Sequence, residues 1–339
     1  MAVRSNLPWP AILAGQLFVM LVVFAVGVTA AYFAFVWYPQ EMVQLVGIVL
    51  VLLVGITALR TGGSIAGRLF PSYNVGEVAV EGPILRDGGG MMPSAPGQPG
   101  ADEIVEQIEH ADADPAVQGL LVKLNTPGGQ VVPSDDIRSA VERFDGPTLA
   151  YTTDVCASGG YWIASGCDEL WAREASIVGS IGVRGSRLNI AELADRLGIS
   201  HERFTAGRFK DAGSPFRDLE DDEREYLQGL VDDHYDHFVE TVTEGRDLEA
   251  DEVRETEAKV FLGEEAHELG LVDELGDSLD IEDAMADRLD LDDIRVRVFE
   301  PQVPLAQRLR IGMQQTAYAV GAGIADQFVN DEVPLPERP

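Results

Sequence analysis

An α/β fold with a largely parallel sheet, set behind two N-terminal transmembrane helices, is predicted by two features of the sequence. From Val75 onward, short apolar runs bounded by glycine and proline alternate with segments of helical periodicity, the pattern of strands joined by crossover helices. Ahead of them, the first sixty residues hold only Arg4, Glu41 and Arg60 as charged groups.

The anchor comes first, over residues 1–60. Ala11 to Trp37 has no charge and only Gln16 as a strongly polar residue, ample to span a hydrocarbon core of about 30 Å. Trp37 and Tyr38 suit an interfacial belt. After a break at Pro39-Gln40-Glu41, Val43 to Leu59 forms a second run near the lower length limit. A first run this long, followed at once by a second, argues against a cleaved signal peptide. Arg4 precedes the pair, Arg60 and Arg68 follow it, and the break has no Lys or Arg. The positive-inside rule then predicts a multi-pass cell-membrane protein with both ends, and the globular domain, in the cytoplasm. Residues 61–74 read as a Gly-rich linker, 75–300 as the globular domain and 301–339 as a C-terminal tail.

Within the domain, Val75 to Gly82 reads as a strand. Asp87 to Gly100, with Met91 and Met92, reads as a flexible insertion. Ala101 to Ala111 puts Ile104, Val105 and Ile108 on one helix face. Gly119 to Asn125 reads as a buried strand, Ser134 to Phe144 as a helix and Pro147 to Thr152 as another strand. Residues 217–245 and 249–289 are mainly helical and acidic.

The chain carries 57 Asp and Glu against 25 Lys and Arg, a formal net charge of −32. The acidity is spread over the soluble part, which argues against nucleic acid as a partner. It fits a surface hydrated in concentrated salt, where screening removes most self-repulsion. Lysine occurs only at 123, 210 and 259, so each invites a functional explanation. Cys156 and Cys167 read as small buried residues, with no disulfide framework implied.

Three elements carry candidate chemistry. Asn125-Thr126-Pro127-Gly128-Gly129-Gln130 ends a strand in a turn whose bare N–H groups, at Gly128 and Gly129, can cradle an oxyanion, or can serve as a plain turn. In Cys156-Ala157-Ser158-Gly159-Gly160-Tyr161, small residues surround one serine before an apolar helix, fitting either a nucleophile or a helix N-cap. In Gly207-Arg208-Phe209-Lys210-Asp211-Ala212-Gly213-Ser214-Pro215, Lys210 is either a surface lysine paired with Asp211 or a general base, if burial favours its neutral form.

Together with Gly179-Ser180-Ile181-Gly182-Val183, these elements, in this order, resemble the signal peptide peptidase A (SppA) family of serine peptidases over roughly residues 75–290. The spacing of 52 between Ser158 and Lys210 is similar to that of single-domain bacterial members; the related stomatin-cleaving peptidases have a shorter gap. The resemblance implies a Clp protease/crotonase-like fold of repeated β-β-α units. It implies Ser158 as nucleophile, Lys210 as general base and Ser180 as the serine that orients the lysine. The oxyanion hole would be the Gly159 N–H with one from the Gly128–Gly129 pair, Gly129 preferred. No metal or cofactor is called for. Partners would be apolar peptides such as signal-peptide remnants, the lipid bilayer and further copies of the chain, since members form ring- or dome-shaped homo-oligomers in which a neighbour can supply the lysine. Thr126 stands where the family often has serine, and two apolar runs replace the commoner single anchor.

Other readings are open. His234 and His237 could bind a metal from one helix face, although i, i+3 spacing without a third ligand favours a solvated helix. A Ser-His-Asp triad would need a histidine in a comparable motif. A non-catalytic oligomeric membrane scaffold on the same fold, or an acyl-CoA enzyme of crotonase type, would not need Lys210. The tail, residues 302–330, is weakly amphipathic and could pack on a neighbour, on the membrane or in the peptide groove.

Overall fold

The two apolar runs fold as long helices in the computed structural model, which describes residues 9–37, 43–86 and 99–301. α1 (Trp9–Tyr32) continues into a π-helical turn, Phe33–Trp37, and α2 spans Val43–Leu69. The segments Pro10–Trp37 and Gly47–Gly67 are long and apolar enough to cross a bilayer, with mean hydropathies of 2.5 and 2.0. Glycine lets the helices approach closely. A Cβ at Gly27 would lie 2.9 Å from that of Ala58, and one at Gly62 would lie 3.2 Å from the Met20 Cα. This packing carries α2 through the Gly-rich stretch, although each interior glycine costs about 1 kcal/mol. The linker expected over 61–74 is therefore helical to Leu69. The 39–41 break, Met91 and Met92 of the Met-rich insertion and the 302–330 tail lie outside the described residues.

The domain then runs β1 (Val75–Glu81), α3 (Ala101–Asp112), β2 (Gly119–Thr126), α4 (Val131–Glu142), β3 (Thr148–Ala157), α5 (Gly159–Ala164), β4 (Glu169–Ala172), β5 (Ile177–Gly179), α6 (Ala191–Arg196), α7 (Asp221–Gly245), α8 (Ala250–Glu255), β6 (Val260–Leu262), α9 (Gly263–Glu268), β7 (Glu274–Leu275), α10 (Ser278–Arg288) and β8 (Val296–Val298). It is the predicted α/β architecture with a mostly parallel sheet, in the order β6-β5-β3-β2-β1-β8. Among the described residues only the β5–β6 pair is antiparallel. Two short strands, β6 and β7, interrupt the stretch expected to be mainly helical over 249–289.

Alternation along β2 builds the core. Leu120, Val122 and Leu124 pack on one face with α3, α4 and α5, joined by Phe238 and Val242 of α7. Leu121 faces the other side with Leu149, Ile281 and Met285. Successive side chains of a strand point to opposite faces, so β2 is apolar over Gly119–Val122, where both sides are buried, and admits Lys123 and Asn125 where one side opens.

The long strand β3 positions the site. Its first half pairs with β4, through Leu149 to Thr152. Its second half pairs with β5, where Val155, Cys156 and Ala157 face Ile177, Val178 and Gly179. The sequence reading ended this strand at Thr152; pairing with β5 extends it to Ala157, next to Ser158.

Candidate active site

Ser158 occupies the sharp junction between β3 and α5. Its backbone sits at φ 53°, ψ −118°, a region that costs a non-glycine residue of order 1–3 kcal/mol and persists only where the surroundings impose it. They do so here. The Ser158 N–H donates to the Gly179 carbonyl at 2.9 Å, and the Trp162 N–H donates to the Ser158 carbonyl at 2.9 Å. The pairing of Ala157 with Gly179 brings Ser180 alongside. Ser180 also has a positive φ, 54°, and its N–H donates to the Lys259 carbonyl at 2.8 Å.

The Pro-Gly-Gly turn closes the site from β2. Gly128, at φ +89°, fits where no side chain would: a Cβ there would lie 2.5 Å from the Gly159 nitrogen and 2.8 Å from the Ser158 Cβ. The turn is held from outside, since the Ile84 N–H donates to the Gly128 carbonyl at 3.0 Å and the Gln130 N–H to the Ile84 carbonyl at 2.9 Å. Thr126, fully buried, holds it from beneath. Its hydroxyl donates to the Gly82 carbonyl at 2.5 Å and accepts from the Gly128 N–H at 3.0 Å. The Gly129 nitrogen comes within 3.2 Å of where a Cβ on Gly159 would sit. None of the backbone hydrogen bonds around the turn uses the Gly129 or Gly159 N–H. Two donors uncommitted among the described residues, beside a strained serine, form an arrangement able to bind an oxyanion.

These residues line one cleft of about 650 Å³, with Ser158, Ser180, Gly128, Gly129 and Gly159 on its wall. Val131, Trp162, Val183 and Phe238 supply apolar surface, and Arg184 is the one charged side chain among the described lining residues. The Trp162 indole N–H donates to Asp135 at 3.1 Å, fixing its ring. His237 lies edge-on to that ring, 5.3 Å between centroids. A second cleft of about 660 Å³, where β3 parts from β4, is walled by Asp154, Glu174, Asp277 and Asp280. It holds none of the sequence-identified residues.

Lys210 is not among the residues lining the Ser158 cleft. It is exposed, on a turn in which its N–H donates to the Gly207 carbonyl at 3.2 Å. Nor does it pair with Asp211, whose carboxylate is taken by Arg203 at 2.9 Å and Arg217 at 3.1 Å. The chain thus brings together the serine pair and the glycines, and leaves the lysine apart. Sequence reasoning missed Thr126 and Ser134 as supports. Thr126 showed only as a departure from the family pattern. Ser134, whose hydroxyl bonds the Gln130 carbonyl at 2.9 Å and lies 2.3 Å from a Cβ position on Gly159, gave no signal.

The sequence model of peptidase family S49 matches residues 143–292. A protein of Methanocaldococcus jannaschii provisionally named a protease (MJ0651) is 33% identical over 242 residues, covering 69% of this chain and 77% of its own length. A similarly named Synechocystis protein (slr0021) is 37% identical over 201 residues, covering 58% and 73%. A protein of Enterococcus faecium provisionally named signal peptide peptidase SppA is 35% identical over 178 residues, covering 51% and 52%.

Proposed function

This chain belongs to peptidase family S49, and on that premise we propose that it is a membrane-anchored endopeptidase working by a Ser158–Lys210 dyad, with the lysine supplied by a neighbouring copy. The single observation behind the proposal is the strained Ser158 beside two N–H groups left uncommitted among the described residues, in a cleft whose described wall carries no lysine or histidine. In this reading the Ser158 hydroxyl oxygen attacks a peptide carbonyl while neutral Lys210 takes its proton. The Gly159 and Gly129 N–H groups stabilise the oxyanion, each worth about 3–4 kcal/mol by the usual effect of removing one donor. Lys210 then protonates the leaving amine, and water freed of a proton by the same lysine releases the acyl group. Ser180 orients the lysine.

The apolar wall of Val131, Trp162, Val183 and Phe238 supports apolar peptides as substrates, and the SppA-named relative supports signal-peptide remnants among them. α1 and α2 would anchor residues 75–300, the peptidase domain, at the membrane. The positive-inside pattern favours its cytoplasmic face.

Mixing tests the reading. Purified Ser158→Ala and Lys210→Ala proteins are each expected to be inactive on an unstructured apolar peptide. Dissociated together and reassembled, they should recover activity, because some interfaces then join an intact Ser158 to an intact Lys210. A silent mixture of well-assembled proteins would refute sharing. A silent, assembled wild type would favour the scaffold alternative.

A further inference from the structure

The turn that carries Lys210 sits in a closed set of ion pairs. Arg203 pairs with Asp211, Arg208 with Asp222, and Arg217 with both Asp211 and Glu223. Three arginines thus meet three carboxylates, and Lys210 is left with no counterion among the described residues. The Asp211 carboxylate, the counterion the sequence offered it, is taken by Arg203 and Arg217 instead.

Arg217 is central to this set. Its Nε donates to the Asp211 carboxylate at 3.1 Å and its Nη2 to the Asp211 backbone carbonyl at 2.9 Å, so it grips both ends of the residue beside the lysine. Arg217 is fixed in turn by Glu223, which accepts from Nη1 at 2.7 Å and from Nη2. Glu223 is only 4% exposed and lies in the first turn of α7. Arg187 braces the loop from the other side through the Ser214 and Arg217 carbonyls, at 2.7 and 2.6 Å. The Phe209 ring stacks on Tyr226 of α7, 4.9 Å between centroids. Around the turn, His201 stacks on Phe216 with Glu202 next to it in sequence, Asp218 is bonded to Asn189, and Glu220 and Asp221 adjoin Glu223 at the start of α7.

We propose that Arg217, assisted by Arg203, is a positioning residue of the reaction, holding the Lys210 turn in place and keeping the Asp211 carboxylate from pairing with the lysine. The role rests on the Ser158–Lys210 reading above. A carboxylate in contact with an amine favours the ammonium form, whereas a general base must be neutral when it takes the proton. Two guanidinium groups on Asp211 remove that competitor, and those of Arg203 and Arg217 accordingly hold its carboxyl below the usual carboxylate range.

The test is the pH profile of kcat/KM for the full-length detergent-solubilised assembly, at the lowest salt at which it stays assembled. Wild type would be compared with Arg217→Gln, Arg203→Gln, the two together, and the double arginine variant combined with Asp211→Asn, since either guanidinium alone still holds the Asp211 carboxylate. Ser158→Ala and Lys210→Ala serve as controls. Freeing Asp211 is expected to move the acid limb upward by about half to one pH unit, the effect of one exposed ion pair. Adding Asp211→Asn should move it back, and Arg217→Lys should restore part of the wild-type profile. If both arginine variants lower the rate equally at every pH and Asp211→Asn restores nothing, the arginines are merely structural and the proposal fails. A Lys210→Ala protein that stays active would sink the dyad, and this role with it. A dead Lys210→Ala beside unchanged arginine profiles would sink the positioning role alone.

Discussion

The contact between Gly160 and Thr126 offers a direct test of how the oxyanion turn is supported. A Cβ at Gly160 would lie 2.6 Å from the Thr126 Cγ2, with the Thr126 carbonyl next at 3.4 Å. Carbon atoms pack at about 3.5–4.0 Å, so Gly160→Ala forces one or both segments to move. Overpacking of this kind costs about 1–3 kcal/mol, offset by at most about 1 kcal/mol of helix propensity. A net loss of about 0–3 kcal/mol is expected. Because Thr126 carries the Pro127-Gly128-Gly129 turn through its hydroxyl, kcat/KM should also fall, by roughly tenfold. Thr126→Ser removes the offending methyl and keeps the hydroxyl, at about 1 kcal/mol for one buried methyl. Combined, the new alanine methyl fills the space the threonine methyl left. The pair should be more stable than the sum of the single changes by about 1–2 kcal/mol, with kcat/KM largely restored. Urea unfolding of the four proteins, followed by tryptophan emission, measures the stability cycle, and peptide hydrolysis measures the kinetic one. Additivity within about 0.5 kcal/mol, or a double variant no more active than Gly160→Ala, would refute the reasoning.

Other outcomes follow from the same geometry. Gly128→Ala meets both a positive φ and the Gly159 nitrogen at 2.5 Å, so kcat/KM should fall by at least about a hundredfold while the assembly, checked by size exclusion, survives. The Arg217 guanidinium holds the Glu223 carboxyl down at about 2, from an ordinary 4.5. The ionised form is favoured in the folded state, so this contribution to stability is complete above about 4.5 and is lost as pH falls through about 2. Melting of wild type between pH 5 and 2.5 should therefore drop more steeply than that of Glu223→Gln; parallel curves would count against the pair. Burial pushes the Cys156 thiol up to about 12 and raises Cys167 as well, so neither should react with iodoacetamide at neutral pH until the protein unfolds. Rapid labelling of the native protein would contradict that burial.

What the sequence determined by itself was local. Apolar runs without charge made α1 and α2 as far as Leu59, alternation and crossover spacing made the parallel sheet, and glycines marked the turns at Gly128 and beside Ser158. These signals repeat every two or 3.6 residues, or depend on one residue's backbone freedom, so they are legible without partners. The tertiary structure decided what meets across the chain. β3 exchanges β4 for β5 partway along, which sets Ser180 beside Ser158. The Thr126 methyl lies against Gly160, 34 residues away in sequence. Arg203 and Arg217 claim Asp211 and leave Lys210 without a counterion among the described residues and off the described wall of the cleft. Contacts of this kind depend on which strand pairs with which and where a loop returns. No periodicity in the sequence encodes that, because it is settled by burying both faces of the sheet at once.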